Sequence, residues 1–268
     1  MIDSNAGRPP LGAARLRAEL IRPGGLWRDL VVVAETGSTH DDLLAAAKRG
    51  AGEGTILVAE AQSAGRGRMG RSWVSPPRAA LTFSVLLRPA AVPMARRGWV
   101  PLLAGVAVTT ALRAEGGVAA WLKWPNDVIV NGAKLAGILA EQAGDAIVVG
   151  AGINVSAARD ELPAAQATSM ALAGAALTDR DQLLVLVLGQ LERWYLAWAQ
   201  ALGDPEVCDL RQQYQRLCGT IGSRVRAQLP GGTALTGIAR EIDGAGRLVV
   251  ESAAGLVPVS AGDIVHLR

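Results

Sequence analysis

The chain has 268 residues, of which 50% are apolar, 19% charged and 4% aromatic, and its net charge of +3 is too small to indicate a nucleic-acid partner by itself. No apolar run reaches the roughly 18 residues of a membrane span without a charge or a proline, residues 1–10 are polar rather than signal-like, and the two cysteines have no Cys-x-x-Cys or histidine partner. These features exclude disordered and fibrous proteins and predict a globular, cytoplasmic protein without membrane association, disulfide framework or structural metal.

The predicted elements begin with an N-terminal extension over residues 1–29, which holds at most one short helix at 13–21. Apolar and amphipathic runs then alternate, which predicts a domain with a sheet and helices over 30–218. Its strands are predicted at 30–34, 55–59, 81–87, 119–124, 128–130, 135–141 and 146–155. The turn signal Asn131-Gly132 joins two of them as a hairpin, so the sheet is predicted to be mixed, with antiparallel pairs.

Four helices are predicted between and after these strands. The first is capped by Ser38 or Thr39 and ends near Gly50, and the second runs from Pro93 to about residue 113. The third is capped by Thr178 and ends near residue 202, and the fourth runs from Pro205 to about residue 217. Short strands follow in residues 219–268, separated by turns that include 230–232, and their close spacing predicts a small closed β-barrel as a C-terminal domain.

A loop rich in arginine and glycine lies between the second and third strands. Residues 65–71 hold Gly65, Gly67 and Gly70 together with three arginines. Glycines let a backbone approach a ligand closely, and guanidinium forks bind phosphate or carboxylate oxygens, so an anionic ligand is expected. The spacing matches neither a P-loop nor a dinucleotide fingerprint, and a mobile basic loop or a nonspecific nucleic-acid patch remains an alternative. Because its positive charges repel one another, we expect the loop to be poorly ordered without a ligand and to fold over an anionic ligand as a lid that excludes water.

Lysine is scarce, because 24 of the 27 basic residues are arginine. Lys48 ends a predicted helix, whereas Lys123 and Lys134 lie within apolar segments and are candidates for a site. Pro125 follows Lys123-Trp124 and brings Asn126 and Asp127 to a strand end, where Asp127 is suited to hold Mg²⁺ beside phosphates or to accept a proton from an amine. A plain turn and a solvated lysine are the structural alternatives.

Two further strands carry small residues where a ligand wall is expected. Gly137 interrupts the strand that begins near Lys134, and residues 150–155 combine two glycines with Asn154. Glycine weakens a strand unless a ligand or another backbone comes close. A bulge is the alternative for the second segment.

Together these motifs resemble those of biotin protein ligases, in the same order along the chain over roughly residues 30–268. The resemblance is carried by Gly37-Ser38-Thr39, the loop over 65–73, Lys123-Trp124-Pro125-Asn126-Asp127, Lys134-Leu135-Ala136-Gly137-Ile138-Leu139 and Gly152-Ile153-Asn154. It implies an α/β (α+β) catalytic domain with a mixed sheet and an SH3-like C-terminal domain. It also implies a two-step reaction, in which biotin and ATP form biotinyl-5′-AMP and a lysine of a biotin carboxyl carrier domain then takes the biotinyl group.

The resemblance implies roles for individual residues. The residues expected to bind biotin are Ser38, Thr39, His40, Gln62, Arg66, Gly67, Arg68, Lys134 and Gly137. The residues expected to bind ATP or the adenylate are Arg66, Arg68, Arg71, Trp73, Lys123, Asn126, Lys134 and Asn154. Catalytic roles are expected for Lys134, Arg66 and Asp127, with Asp127 as a weak ligand of the Mg²⁺ that accompanies ATP. The family usually has Asn where this chain has His40.

The expected partners are biotin, ATP and the carrier domain of an acyl-CoA or pyruvate carboxylase, without specific DNA binding. The nearest rival is a lipoate or octanoate ligase, which shares the catalytic fold but does not usually combine this arginine loop with the Lys-Trp-Pro-Asn-Asp strand. A regulator that binds DNA is a second rival, although about 30 residues before the catalytic pattern are too few for its reading module. A ligand-binding protein without turnover is the third.

Overall fold

The computed structural model describes residues 7–229, 233–260 and 262–267. The described part of the chain forms two sheets and five α-helices. The helices are α1 Ala13–Leu20, α2 Thr39–Lys48, α3 Val100–Ala114, α4 Arg180–Gln200 and α5 Leu210–Leu217. The strands of the larger sheet are β1 Asp29–Val33, β2 Thr55–Ala59, β3 Ala80–Leu87, β4 Ala120–Lys123, β5 Asp127–Val130, β6 Ala133–Ala143 and β7 Ala146–Asn154.

The larger sheet has the order β1-β2-β3-β7-β6-β5-β4. Only the β1–β2 pair is parallel among these described strands, so the predicted mixed sheet is confirmed. β3 and β7 lie at its centre and are buried along their whole length. Continuous apolar runs form such strands because both of their faces are covered.

The two faces of the central strands bury different clusters. On one face, alternate residues such as Phe83 and Val149 join the main core, against which α3 and α4 pack. On the opposite face, Leu86 and Val148 pack against Leu43 of α2 in a second, smaller cluster. Successive side chains of a strand point to opposite faces, which is why the same two strands contribute to both clusters. The helix α2 covers only one end of the second face. The rest of that face is not covered by a helix.

Three predicted helix starts were wrong, each for a local reason. The segment Met94–Trp99 is a 3-10 helix and α3 begins only at Val100, because Pro101 lacks an N–H and fits the first turn of an α-helix. Asp179, rather than Thr178, caps α4 by accepting from two backbone N–H groups. Asp209 takes a left-handed φ of 58°, so α5 begins after it and not at Pro205.

The C-terminal strands form a five-stranded antiparallel sheet in the order β11-β10-β9-β8-β12. Its strands are β8 Arg224–Gln228, β9 Ala234–Ile242, β10 Leu248–Ser252, β11 Gly255–Val259 and β12 Asp263–His266. The predicted turn at 230–232 lies outside the described residues. Trp99 and Trp124 donate their indole N–H groups to the carbonyl oxygens of Gly244 and Gly246, at 2.8 and 3.1 Å, and so fasten this sheet to the larger one.

No helix within the described ranges is both long enough and apolar enough to cross a membrane.

Candidate active site

The floor of the candidate site is the open part of the second face of the larger sheet. Gly152 of β7 lies between Thr82 of β3 and Gly137 of β6, and in the next row Gly150 lies beside Ser84. Small and polar residues therefore replace, in these rows, the apolar residues that meet α2 further along the strands. A cavity of about 100 Å³ opens above them.

The N-terminus of α2 forms one wall of this cavity with a cluster of hydroxyl and amide groups. Ser38 caps the helix, and Thr39 donates its backbone N–H and its hydroxyl to Gln62 Oε1, at 2.8 and 3.0 Å. The Thr39 hydroxyl also lies 3.0 Å from the hydroxyl of Ser84. These buried groups are held in place by one another, so the wall presents a fixed set of donors and acceptors.

His40 lies in the same wall, with only 4% of its surface exposed. Both ring nitrogens are buried without a hydrogen-bond partner among the described residues. Burial, with a smaller contribution from Arg66, lowers the pKa of His40 below the ordinary histidine value, so the ring is neutral at pH 7.

The arginine loop, defined here as residues 65–73, closes the cavity from above. Within it, Trp73 N–H donates to Gly65 O at 2.8 Å and Gly67 N–H donates to Arg71 O at 2.7 Å. The indole of Trp73 lies directly on the floor, because a Cβ at Gly152 would be 2.7 Å from its Cζ2 atom and closer still to Cε2. The sequence predicts that a ligand or another backbone comes close to the strand glycines. In the structure it is the indole of Trp73 that comes close to Gly152.

The three arginines of the loop reach three different parts of the molecule. Arg66 pairs with Asp41 of α2 and Glu141 of β6. Arg68 donates to the side-chain oxygen of Asn126 at 2.9 Å, and burial lowers the pKa of Arg68.

Arg71 pairs with Asp263 of β12, which connects the loop to the C-terminal sheet.

Lys134 stands where this cavity meets a second one. Its Nζ lies 2.6 Å from Asp127 Oδ1. The second cavity, of about 310 Å³, also contains Lys123 and Asn154 in its lining and shares Trp73 with the first. A small cavity and a larger one thus share a cationic side chain in their linings.

The structure brings the predicted site residues together in these two adjoining cavities. The first is lined by all nine residues expected to bind biotin and also by Arg71, Trp73 and Asn126. The second is lined by Lys123, Asp127 and Asn154, again with Trp73 and Lys134.

Sequence reasoning missed other members of the site. Thr82 and Ser84 line the first cavity, and their alternation within an otherwise apolar strand is a signal that could have found them. Asp41 and Asp263 were not connected with the loop, since only the fold brings these carboxylates to it.

Comparison with known proteins agrees with this geometry. Residues 35–156 match the biotin/lipoate A/B protein ligase family, and residues 220–267 match the biotin protein ligase C terminal domain. The chain is 46% identical to a biotin--[acetyl-CoA-carboxylase] ligase of Mycobacterium tuberculosis over 272 residues, covering 100% of both chains. It is 33% identical to the bifunctional ligase/repressor BirA of Escherichia coli, over 74% of this chain and 62% of that protein.

Solved structures give the same result. The biotin protein ligase from Aquifex aeolicus in complex with biotin and ATP matches with a TM-score of 0.75 and 28% identity, over 90% of this chain and 100% of that one. The Leishmania major enzyme in complex with biotinyl-5-AMP matches with a TM-score of 0.60 and 26% identity, over 87% of this chain and 99% of that one. Since sequence, fold and site point to the same relatives, the chain belongs to the biotin protein ligase family.

Proposed function

We propose that this protein activates biotin with ATP and then transfers the biotinyl group to a lysine of a biotin carboxyl carrier domain. Lys134 carries the proposal, because it stands at the junction of a small polar cavity and a larger one. A carboxylate held in the first cavity and a phosphate held in the second meet there. The family that the chain belongs to catalyses this pair of reactions.

The small cavity is suited to the polar ring system of biotin. The hydroxyl groups of Ser38 and Thr39 and the amide of Gln62 offer hydrogen bonds to the ureido group, and His40 offers a neutral ring nitrogen. Gly137 lets the side chains of Lys134 and Trp73 lie close to the floor, since a Cβ there would be 3.2 Å from Lys134 Nζ and 3.4 Å from Trp73 Cζ3.

In the first step, an oxygen of the biotin carboxylate bonds to the α-phosphorus of ATP, the bond from that phosphorus to the bridging oxygen breaks, and pyrophosphate leaves. Two anions must approach each other, and fixed cations in a site that excludes water offset their repulsion. Arg68 and Lys134 supply this positive charge, and Arg66 of the same loop is a third cation near the cavity. The closed loop also keeps water from the mixed anhydride.

The second cavity is suited to the nucleotide. In its lining Trp73 offers an aromatic face, Asn154 an amide and Lys123 positive charge. Asn126 and Arg71 add an amide and a further positive charge from the lining of the adjoining first cavity. Asp127 fits a Mg²⁺ ion that is held mainly by phosphates, because such ions need only one or two protein carboxylates. Mg²⁺ supplies further screening of the phosphate charge.

In the second step, the lysine amine of the carrier attacks the acyl carbon, the bond from that carbon to the AMP oxygen breaks, and the amine loses a proton. Asp127 is the carboxylate in the cavity lining that can orient the amine and receive this proton. The carrier belongs to an acyl-CoA or pyruvate carboxylase.

The organisation of the chain is part of the proposal. Residues 1–29 form an extension, 30–218 the catalytic domain and 219–268 a domain of SH3-like architecture, which is supported by its five short antiparallel strands. The two free cysteines are consistent with a reducing cytoplasm. The low net charge supports the expectation that no DNA is bound specifically.

The decisive experiment mixes the protein with biotin and MgATP and identifies retained compounds by mass spectrometry, with release of pyrophosphate measured in parallel. We expect retained biotinyl-5′-AMP and its discharge when a carrier domain is added. Octanoate in place of biotin should give no adenylate. An adenylate formed from octanoate alone, or no pyrophosphate at all, would overturn the proposal.

A further inference from the structure

The Arg66 guanidinium is engaged by two carboxylates from different elements. Its Nη2 lies 2.8 Å from Glu141 Oε1, and its Nη1 contacts Glu141 Oε2 at 3.5 Å and also Asp41 Oδ1. Asp41 is in the first turn of α2, and Glu141 is on β6 beside Val148, in the row that α2 covers. Arg66 therefore connects the first half of the arginine loop to both elements.

The two carboxylates lie outside the cavity lining, whereas Arg66 contributes to it. Their side chains are 50% and 34% exposed, and that of Arg66 is 39% exposed. The cluster is thus at the outer rim of the biotin cavity. It holds the loop from outside the cavity lining, with Glu141 Oε2 3.8 Å from His40 Nε2 of the α2 wall.

The charges of this cluster separate the roles of the loop arginines. The positive charge of Arg66 is already offset by Asp41 and Glu141. Arg68, in contrast, is more deeply buried and bonds to Asn126, a neutral amide. Among the ion pairs of the described residues none contains Arg68, and Asp263 and Asp127 act on it only through space, so less of its positive charge than that of Arg66 is offset.

We propose that Asp41 and Glu141 are positioning residues, which hold the arginine loop closed over the biotin cavity through Arg66. Arg66 acts mainly as the anchor of the loop, and Arg68 is the loop cation that faces the ligand. This assignment rests on the proposed function, because it specifies how the same site opens and closes.

The strength of the cluster suits a lid. Exposed ion pairs contribute little to stability, since water screens them, so these contacts break readily when biotin or ATP must enter. The ion pair of Arg180 and Glu60, by comparison, is permanent, because its side chains are only 6% and 10% exposed and water screens them little. The contacts of Arg66 with Asp41 and Glu141 are exposed and therefore reversible.

The test compares limited trypsin cleavage after the loop arginines in protein without substrates. The variants are Asp41→Asn, Glu141→Gln and the double substitution, and the control is Asp145→Asn, whose carboxylate pairs with Arg88 in another exposed ion pair. Each single variant should be cleaved about 2- to 5-fold faster and the double variant about 5- to 10-fold faster, with the control unchanged. In about 1 M NaCl the differences should vanish, because salt screens exposed pairs.

Kinetics separate positioning from catalysis. The double variant should raise the KM for biotin by about 5- to 10-fold and change kcat for adenylate formation by less than about 2-fold, whereas Arg68→Gln should lower kcat. Cleavage of the double variant at the wild-type rate would overturn the proposal, as would a fall in kcat without faster cleavage. Wild-type protein that forms no biotinyl-5′-AMP would overturn the proposed function but would leave the cleavage result intact.

Discussion

Lys134 joins the two cavities and is held in place by Asp127, and the proposed reaction needs its charge where the carboxylate meets the phosphate. Replacing Lys134 by Gln removes that charge, keeps a polar group and shortens the side chain by one atom. We expect adenylate formation to fall by about 10²-fold, or about 3 kcal/mol of barrier, in a pyrophosphate-release assay. Lys48→Gln, an exposed change at the end of α2, is the matched control. An unchanged rate for the Lys134 variant would contradict its role.

The two histidines make the stability of the protein sensitive to mild acid. Burial lowers the pKa of His40, and burial together with Lys123 lowers the pKa of His266, which contacts Thr220. As the pH falls below about 6.5, the unfolded chain binds protons that the folded chain does not, so the free energy of unfolding decreases; above that pH the two residues have no such effect.

We therefore expect urea unfolding at pH 5 to 7.5 to show a loss of stability on the acid side. His40→Asn and His266→Asn should each reduce that loss, and the double variant should remove most of it. The chain has only these two histidines, so no third imidazole contributes to the pH dependence of the free energy of unfolding. An acid-side loss that is the same in all four proteins would show that other groups cause it.

At the scale of elements, β7 builds the site by placing glycines on the face that α2 leaves open. Gly152→Ala would press a methyl group against the indole of Trp73. Overpacking of this kind costs about 1–3 kcal/mol, and because Trp73 borders both cavities, we expect a higher KM for ATP and for biotin.

Gly189→Ala on α4 is the control, because a Cβ there meets nothing within 4 Å. It should stabilise the protein by up to about 1 kcal/mol and leave both KM values unchanged. If Gly152→Ala also left the KM values unchanged, Trp73 could not be a wall of the ligand site.

Much of the fold could be predicted at this scale, and the reasons are local. Strands such as Thr55–Ala59 and Ala80–Leu87 occur at or within one residue of their predicted positions, because apolar runs bounded by turn residues are a strong signal. The start of α3 could not be predicted from Pro93, because a 3-10 turn and an α-helix share the same signals.

The site was predictable as far as its residues lie in compact motifs, such as the loop around Arg66 and the strand at Lys123. Glu141 could not be assigned from the sequence, since its place in the site depends on strand register and on the covering of one sheet face by α2. Residue-level roles at the site remain predictions.

At the scale of the whole molecule, one buried ion pair connects three distant segments. Arg180 of α4 pairs with Glu60 at 2.6 Å and donates to Pro9 O at 2.7 Å, and Glu60 also accepts from Leu11 N–H at 2.5 Å. The N-terminal extension is thereby fixed to the end of β2, two residues before Gln62.

Arg180→Met should lower the free energy of unfolding by about 3–5 kcal/mol in urea titrations, because it leaves Glu60 charged and buried without its partner. Adding Glu60→Leu should recover much of that loss. Arg240→Met, which breaks the exposed pair with Glu251, should cost less than about 1 kcal/mol. Equal losses for the two arginine variants would show that burial does not determine the strength of these pairs.

The use of arginine rather than lysine around the cavities has a chemical consequence for a protein that makes an acylating agent. Biotinyl-5′-AMP reacts with free amines, whereas guanidinium groups keep their protons and are poor nucleophiles. Only three lysines occur in the chain, and Lys134, at the junction of the cavities, is paired with Asp127. The enzyme therefore offers its own product few amines to label, and the anhydride survives until the carrier brings one.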